Sequence, residues 1–165
     1  MVQDRAFSLM GNILKSPAAE VELPDSTGTI RSLYGLSSKY TLVVFWDPTC
    51  GHCKETLPRI DSIYRAKWSR NGIGLYAIAK ETEGNQKLWI DFIQQNQLIG
   101  WTHVYYSKEA EKKRVDNGIP SYSQLFDVQT FPTLYLLDRD KKIIAKKLTF
   151  QQMDEILDLQ RTDTK

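Results

Sequence analysis

Cysteine is scarce in this 165-residue chain: there are two, Cys50 and Cys53, too few for a disulfide-stapled miniprotein. Histidine is as rare, with His52 and His103 alone. No apolar run approaches the ~18 residues that a membrane-spanning helix needs. Neither sign of charge is in surplus, since 22 Lys and Arg against 20 Asp and Glu leave +2. The longest basic runs, at 112–114 and 141–142, are too short for a nucleic-acid footprint. Residues 1–14 (MVQDRAFSLMGNIL) lack the basic, apolar and small-residue regions of a signal peptide. Internal repeats and low-complexity stretches are also missing. What is present is ordinary for a globular protein: 41% hydrophobic, 25% charged and 11% aromatic residues, enough to build one core. The length suits one domain.

Apolar spacing predicts the elements. Residues 4–14 read as a short helix or arm, ended at Ser16-Pro17 because proline disfavours helix in the residue before it. Residues 20–23 and 29–33 read as a hairpin around a turn at 24–28. Residues 40–46 (YTLVVFW) are apolar without alternation, the mark of a strand buried on both faces. Over 53–69, Leu57, Ile60, Ile63, Tyr64 and Trp68 keep a helical period. A second buried strand follows at 73–79, a helix at 85–95 and a poorer strand at 101–106. Residues 122–126 read as a helical turn and 133–137 as a strand. A turn at 138–141 leads into a strand over 142–148, and Met153, Ile156, Leu157 and Leu159 mark a closing helix. Residues 108–118 read as a charged loop or a frayed helix. The order β-α-β-α-β, then hairpin and helix, implies a mixed sheet covered on both faces.

Cys50-Gly51-His52-Cys53 stands where a buried strand hands over to a helix. Unpaired N–H groups at a helix N-terminus favour negative charge, and cysteines so placed ionise at about 3.5–7.5 instead of ~8.5. Cys50, at the exposed edge, is the expected nucleophile; Cys53, one turn in, is the expected resolving thiol. Three-residue spacing lets the pair close as a Cys50–Cys53 disulfide within the helix. A protonated His52 adds positive charge beside the nucleophile, and Lys54 a little more. The same tetrapeptide suits half a zinc site, although zinc wants four ligands and His52 and His103 are the only other soft donors. A merely structural pair of buried thiols is the third alternative.

The run from Val43 through Trp46-Asp47-Pro48-Thr49-Cys50-Gly51-His52-Cys53 to Lys54 resembles the active site of the thioredoxin superfamily. Phe131-Pro132-Thr133, followed by a hydrophobic strand, a DRDK turn and another strand, resembles that family's cis-proline segment and closing hairpin. The hairpin at 20–33 and the insertion before Pro132 are similar to the TlpA/ResA-like branch, especially such domains from Bacteroidetes. The resemblance covers about residues 18–160, with 161–165 as a tail. It implies an α/β thioredoxin-like fold: a mixed central sheet flanked by helices, an N-terminal β-hairpin extension and an insertion before the cis-proline.

It further implies a thiol-disulfide oxidoreductase that needs no cofactor and no metal. The expected partners are protein thiols and disulfides and a membrane or soluble redox partner. The expected state is a monomer facing the bacterial cell envelope, with an export segment absent from this sequence. Pro132 is expected to be cis, Phe131 to present its backbone to substrate, and Trp46 to flank the site. Val44 occupies the position of thioredoxin's buried aspartate, and Glu81 matches a glutamate that serves instead as proton acceptor in the TlpA/ResA-like branch; Glu83 is the weaker candidate. Phe131 departs from the smaller residue usual before the cis-proline. Direction of electron flow stays open, because CGHC leans towards oxidation and the branch towards reduction. Two other classes remain: a peroxiredoxin-like peroxidase, for which Pro48-Thr49-Cys50 has the wrong spacing, and a copper carrier using both thiols and His103.

Overall fold

The computed structural model describes residues 15–84 and 86–163. The helix expected over 4–14 lies outside them. Strands β1 (Glu22–Pro24) and β2 (Ile30–Ser32) form a small antiparallel hairpin. The main sheet contains β3 (Tyr40–Trp46), β4 (Ile73–Lys80), β5 (Thr102–Tyr106), β6 (Thr133–Leu137) and β7 (Ile143–Lys146). Its order is β5-β4-β3-β6-β7, with β3, β4 and β5 parallel and β6 and β7 antiparallel.

Central β3 explains its unbroken apolar sequence. Leu42, Val44 and Trp46 point into one core with Cys53, Leu57, Ile60, Trp89, Met153 and Leu157. Val43 and Phe45 point into the other, with Tyr76, Ile78, Tyr106, Phe126 and Tyr135. Successive strand side chains alternate faces, so a strand covered on both sides is apolar almost throughout; its one buried hydroxyl, on Thr41, is bonded to Ser38. Helices α1 (Gly51–Ile63), α2 (Gln86–Gln95) and α5 (Phe150–Asp163) supply side chains to the first core. The β1–β2 hairpin and the short α4 (Tyr122–Leu125) supply the second.

Two expectations change. The helical period expected to run through 69 loses its α geometry after Ile63: a π turn (Tyr64–Trp68) and a 3-10 turn (Ser69–Asn71) finish it. The wider turn seats Trp68 in the core while its Nε1 donates to Asp154 on α5 at 2.9 Å. Lys67 bridges Asp154 and Asp158 at 2.8 and 3.0 Å, fastening the two helix ends.

Residues 108–118 contain a regular helix, α3 (Lys108–Asp116), in place of the loop or frayed helix expected there. None of its residues is buried, so it shows no apolar stripe; its order comes from its ends. The Ser107 hydroxyl accepts the Ala110 N–H at 3.0 Å, Glu109 and Glu111 stand in the first turn, and Lys113 and Arg114 in the last. Glu111 also pairs with the buried Lys80 at 3.4 Å. Helix α5 reaches Asp163, beyond the domain boundary expected at 160.

Candidate active site

The C-terminal end of β3 delivers a tight turn, Asp47-Pro48-Thr49, whose closing bond runs from the Cys50 N–H to the Asp47 carbonyl at 2.9 Å. Cys50 is therefore the N-cap of α1: extended (φ −86°, ψ 120°), with its own carbonyl accepting the Lys54 N–H at 3.1 Å. The first-turn N–H groups that follow have no partner inside the helix and face the cap. The Cys50 sulfur is half-buried, whereas Cys53 is wholly buried one turn in; both are thiols here.

Burial pushes the Cys53 thiol well above the ordinary cysteine range, against a backbone hydrogen bond from Asp47 that pulls it down. The neighbouring Cys50 sulfur and the charge of Asp47 raise Cys53 further. The pair is thus asymmetric: the inner sulfur is buried and keeps its proton, while the outer one is half-buried at the mouth of the helix.

The antiparallel register of β3 and β6, with Phe45 opposite Thr133, brings a segment distant in sequence against the pair. The Phe131–Pro132 peptide is cis, and the Cys50 thiol lies 3.9 Å from the Phe131 carbonyl oxygen. Pro132, His52 and Arg59 line a cleft of about 460 Å³ that begins at the residue between the two cysteines. His52 is exposed on the first turn of α1, and Lys54 is exposed nearby.

Trp46, expected to flank the site as a surface for substrate, is a core residue instead. It has 0% exposure, and its ring packs against Phe92 at 5.3 Å. As the last residue of β3 it supports the turn from beneath and offers a partner no surface. Val44 is likewise buried in the same core as Cys53.

Sequence reasoning passed over a buried carboxylate in the turn that precedes the cysteines. Asp47 is 7% exposed, and its carboxylate accepts the Thr49 N–H at 2.8 Å, the Thr49 hydroxyl at 2.8 Å and the Thr82 hydroxyl. It ties the loop before the cysteines to the loop after β4. Gly84, at φ 84°, lets that second loop turn beside Thr49; a Cβ there would come within 2.5 Å of Leu88 Cδ1. The available signal was Asp followed two residues later by Thr, the pattern of a side-chain-closed turn.

Glu81 lies in the same region, half-buried and held at three points. Its N–H donates to Tyr106 O at 3.0 Å, its carbonyl accepts from Lys80 Nζ at 2.8 Å, and its carboxylate accepts the Tyr105 hydroxyl at 3.2 Å. Burial raises Tyr105 to about 12, helped by the charges of Glu81 and Asp47. Asp47, Glu81, Thr82 and Tyr105 thus share one polar pocket on the β4 side of the cysteines. Glu83 is exposed in the same loop. His103 belongs elsewhere: its ring stacks on Trp101 at 5.2 Å and its Nε2 bonds Leu98 O at 2.9 Å. Among the described residues, no three His, Cys, Asp or Glu side chains are grouped to hold a metal ion.

Residues 38–143 match the family described as Thioredoxin-like. A domain of a possible thiol-disulfide isomerase from Cytophaga hutchinsonii is 30% identical, with a TM-score of 0.76 over 92% of this chain and 95% of that one. A thiol:disulfide interchange protein from a Bacteroides species is 25% identical, with a TM-score of 0.67 over 82% of this chain and 81% of that one. The thioredoxin domain of a thiol-disulfide oxidoreductase from Bacteroides vulgatus shares the fold at 23% identity, with a TM-score of 0.70 over 87% and 96%. No curated protein matches.

Proposed function

Because the chain belongs to the thioredoxin-like family, we propose that it is a thiol-disulfide oxidoreductase working through Cys50 and Cys53 on disulfides of other proteins. The observation that carries this reading is the unequal pair: a half-buried sulfur at a helix mouth, 3.9 Å from the carbonyl before a cis-proline, backed by a buried thiol.

In the reductive direction the Cys50 thiolate attacks one sulfur of a substrate disulfide. A Cys50–substrate bond forms and the other substrate sulfur leaves as a thiolate. Cys53 then loses its proton and attacks the Cys50 sulfur, closing Cys50–Cys53 and releasing the second substrate thiol. Two electrons pass to the substrate, and a dithiol donor must return them before the next cycle. The chemistry runs backwards with an oxidising partner.

The proton on Cys53 is the obstacle, since burial holds it there. Asp47 is the acceptor best supported: its charge acts on that thiol, and its three hydroxyl and amide donors fix its orientation. Glu81, the acceptor expected from the resemblance, fits a supporting role through Tyr105 and the Thr82 loop. The Phe131 carbonyl and Pro132 offer an edge against which an extended substrate strand can pair. Work in the cell envelope as a monomer, with a membrane or soluble redox partner, completes the proposal.

Insulin reduction with dithiothreitol tests it. Catalysis should vanish in Cys50→Ser, while Cys53→Ser should still attack and accumulate mixed disulfides with partner proteins. Undiminished catalysis by Cys50→Ser would refute the proposal.

A further inference from the structure

Along α1, His52, Thr56 and Arg59 follow steps of four and three residues, so they form one stripe and make one wall of the cleft that begins between the cysteines. Residues 149–152 face them, and Gln129, Thr130 and Pro132 join the floor. Among the described residues, no carboxylate lines this space. Lys147, also at its edge, is already matched by Asp127 at 2.6 Å. Arg59 is exposed and, among the described residues, has no acidic partner.

The charge is distributed across the site. Asp47 and Glu81 cluster beyond the ends of β3 and β4, whereas the cleft opens on the β6–β7 side of β3. A substrate chain that leaves the sulfurs along α1 moves away from this negative charge and towards an unmatched guanidinium.

Resting on the oxidoreductase reading, we propose that this cleft selects protein disulfides carrying an acidic side chain about four residues from the attacked cysteine, with Arg59 receiving the carboxylate. The spacing follows from geometry. Nine residue steps lead from Cys50 to Arg59, about 13 Å along the helix at 1.5 Å each, and an extended chain laid along it covers that in about four residues at 3.3 Å each. An even interval also keeps the acidic side chain on the same face of the substrate strand as its cysteine. Arg suits the task because its planar fork matches a carboxylate with two parallel hydrogen bonds.

The test compares reduction of peptide disulfides bearing Glu or Gln four residues before or four residues after the cysteine. In one of the two placements the Glu peptide should have the higher kcat/KM by about two- to fivefold, the range of an exposed ion pair. That ratio should fall to one in Arg59→Gln, drop below one in Arg59→Glu, and shrink in high salt. Oxidised glutathione, whose carboxylates lie beside its cysteine, should show no dependence on Arg59. A ratio of one in both placements, a preference that survives Arg59→Gln, or an equal Arg59 effect on glutathione would overturn the proposal. Turnover of the Gln peptides by the unsubstituted protein checks the underlying activity separately; its absence would remove both readings, whereas equal turnover removes this one alone.

Discussion

His103 makes folding stability depend on pH in a way that can be calculated. Its Nε2–H donates to the Leu98 carbonyl at 2.9 Å, the ring stacks on Trp101, and Nδ1 is buried without a partner. A second proton on Nδ1 would sit in apolar surroundings with no acceptor, so burial lowers the histidine from 6.5 to about 4; the nearby Asp61 charge only partly opposes this. The unfolded chain takes up that proton near pH 6.5 and the folded chain only near 4. The resulting stability is complete above pH 6.5 and is lost as the pH falls through 4.

At 1.36 kcal/mol per pH unit, the loss between pH 7 and 4.5 is about 2 to 2.5 kcal/mol. Carboxylates titrate in the same window, so the quantity to follow is the stability gap between the wild type and His103→Gln, which can still donate to Leu98. Urea unfolding at half-unit steps should show this gap shrinking by that amount from pH 7 to 4.5. A constant gap, or an imidazole that titrates near 6.5 in the folded protein, would refute the reasoning.

At the site, Asp47→Asn removes a charge that raises Cys53, so the inner thiol should titrate at lower pH while mixed-disulfide resolution slows; an unchanged titration and an unchanged rate would clear Asp47 of the role. Glu81→Gln should bring the Tyr105 phenol down from about 12, read by ultraviolet titration, with a smaller effect on Cys53. Ser107→Ala should cost about 1 kcal/mol in urea unfolding, since the hydroxyl caps a helix with no buried face; a loss near zero would mean that the Lys80–Glu111 bridge alone holds α3.

What could be read from the chain alone follows from where burial is most complete. β3 and β4 are covered on both faces, so packing imposed an unbroken apolar text that admits one reading. The cysteine pair was legible for a different reason: two thiols at that spacing, after such a strand, have few other uses. Helix α3 was obscure because capping and charge, not an apolar stripe, stabilise it. The π turn was hidden because Ile63, Tyr64 and Trp68 fit an α-helical period as well as the wider one. Asp47 was missed because a carboxylate in a loop looks solvated until the fold brings Thr82 to it across 35 positions. The resemblance places Trp46 at the site, with a plain core aromatic as the alternative, and strand alternation sends it inward.

The two sulfurs hang from the middle strand of the sheet, bonded to β4 along one edge and to β6 along the other, with a further strand beyond each. Opening of a sheet normally starts at its margins, which here are β5 and β7. A partner can therefore tug at the periphery, and the margins can fray and re-form, while the distance between Cys50 and the carbonyl before Pro132 stays fixed. Electron exchange is thereby insulated from the breathing of the rest of the molecule.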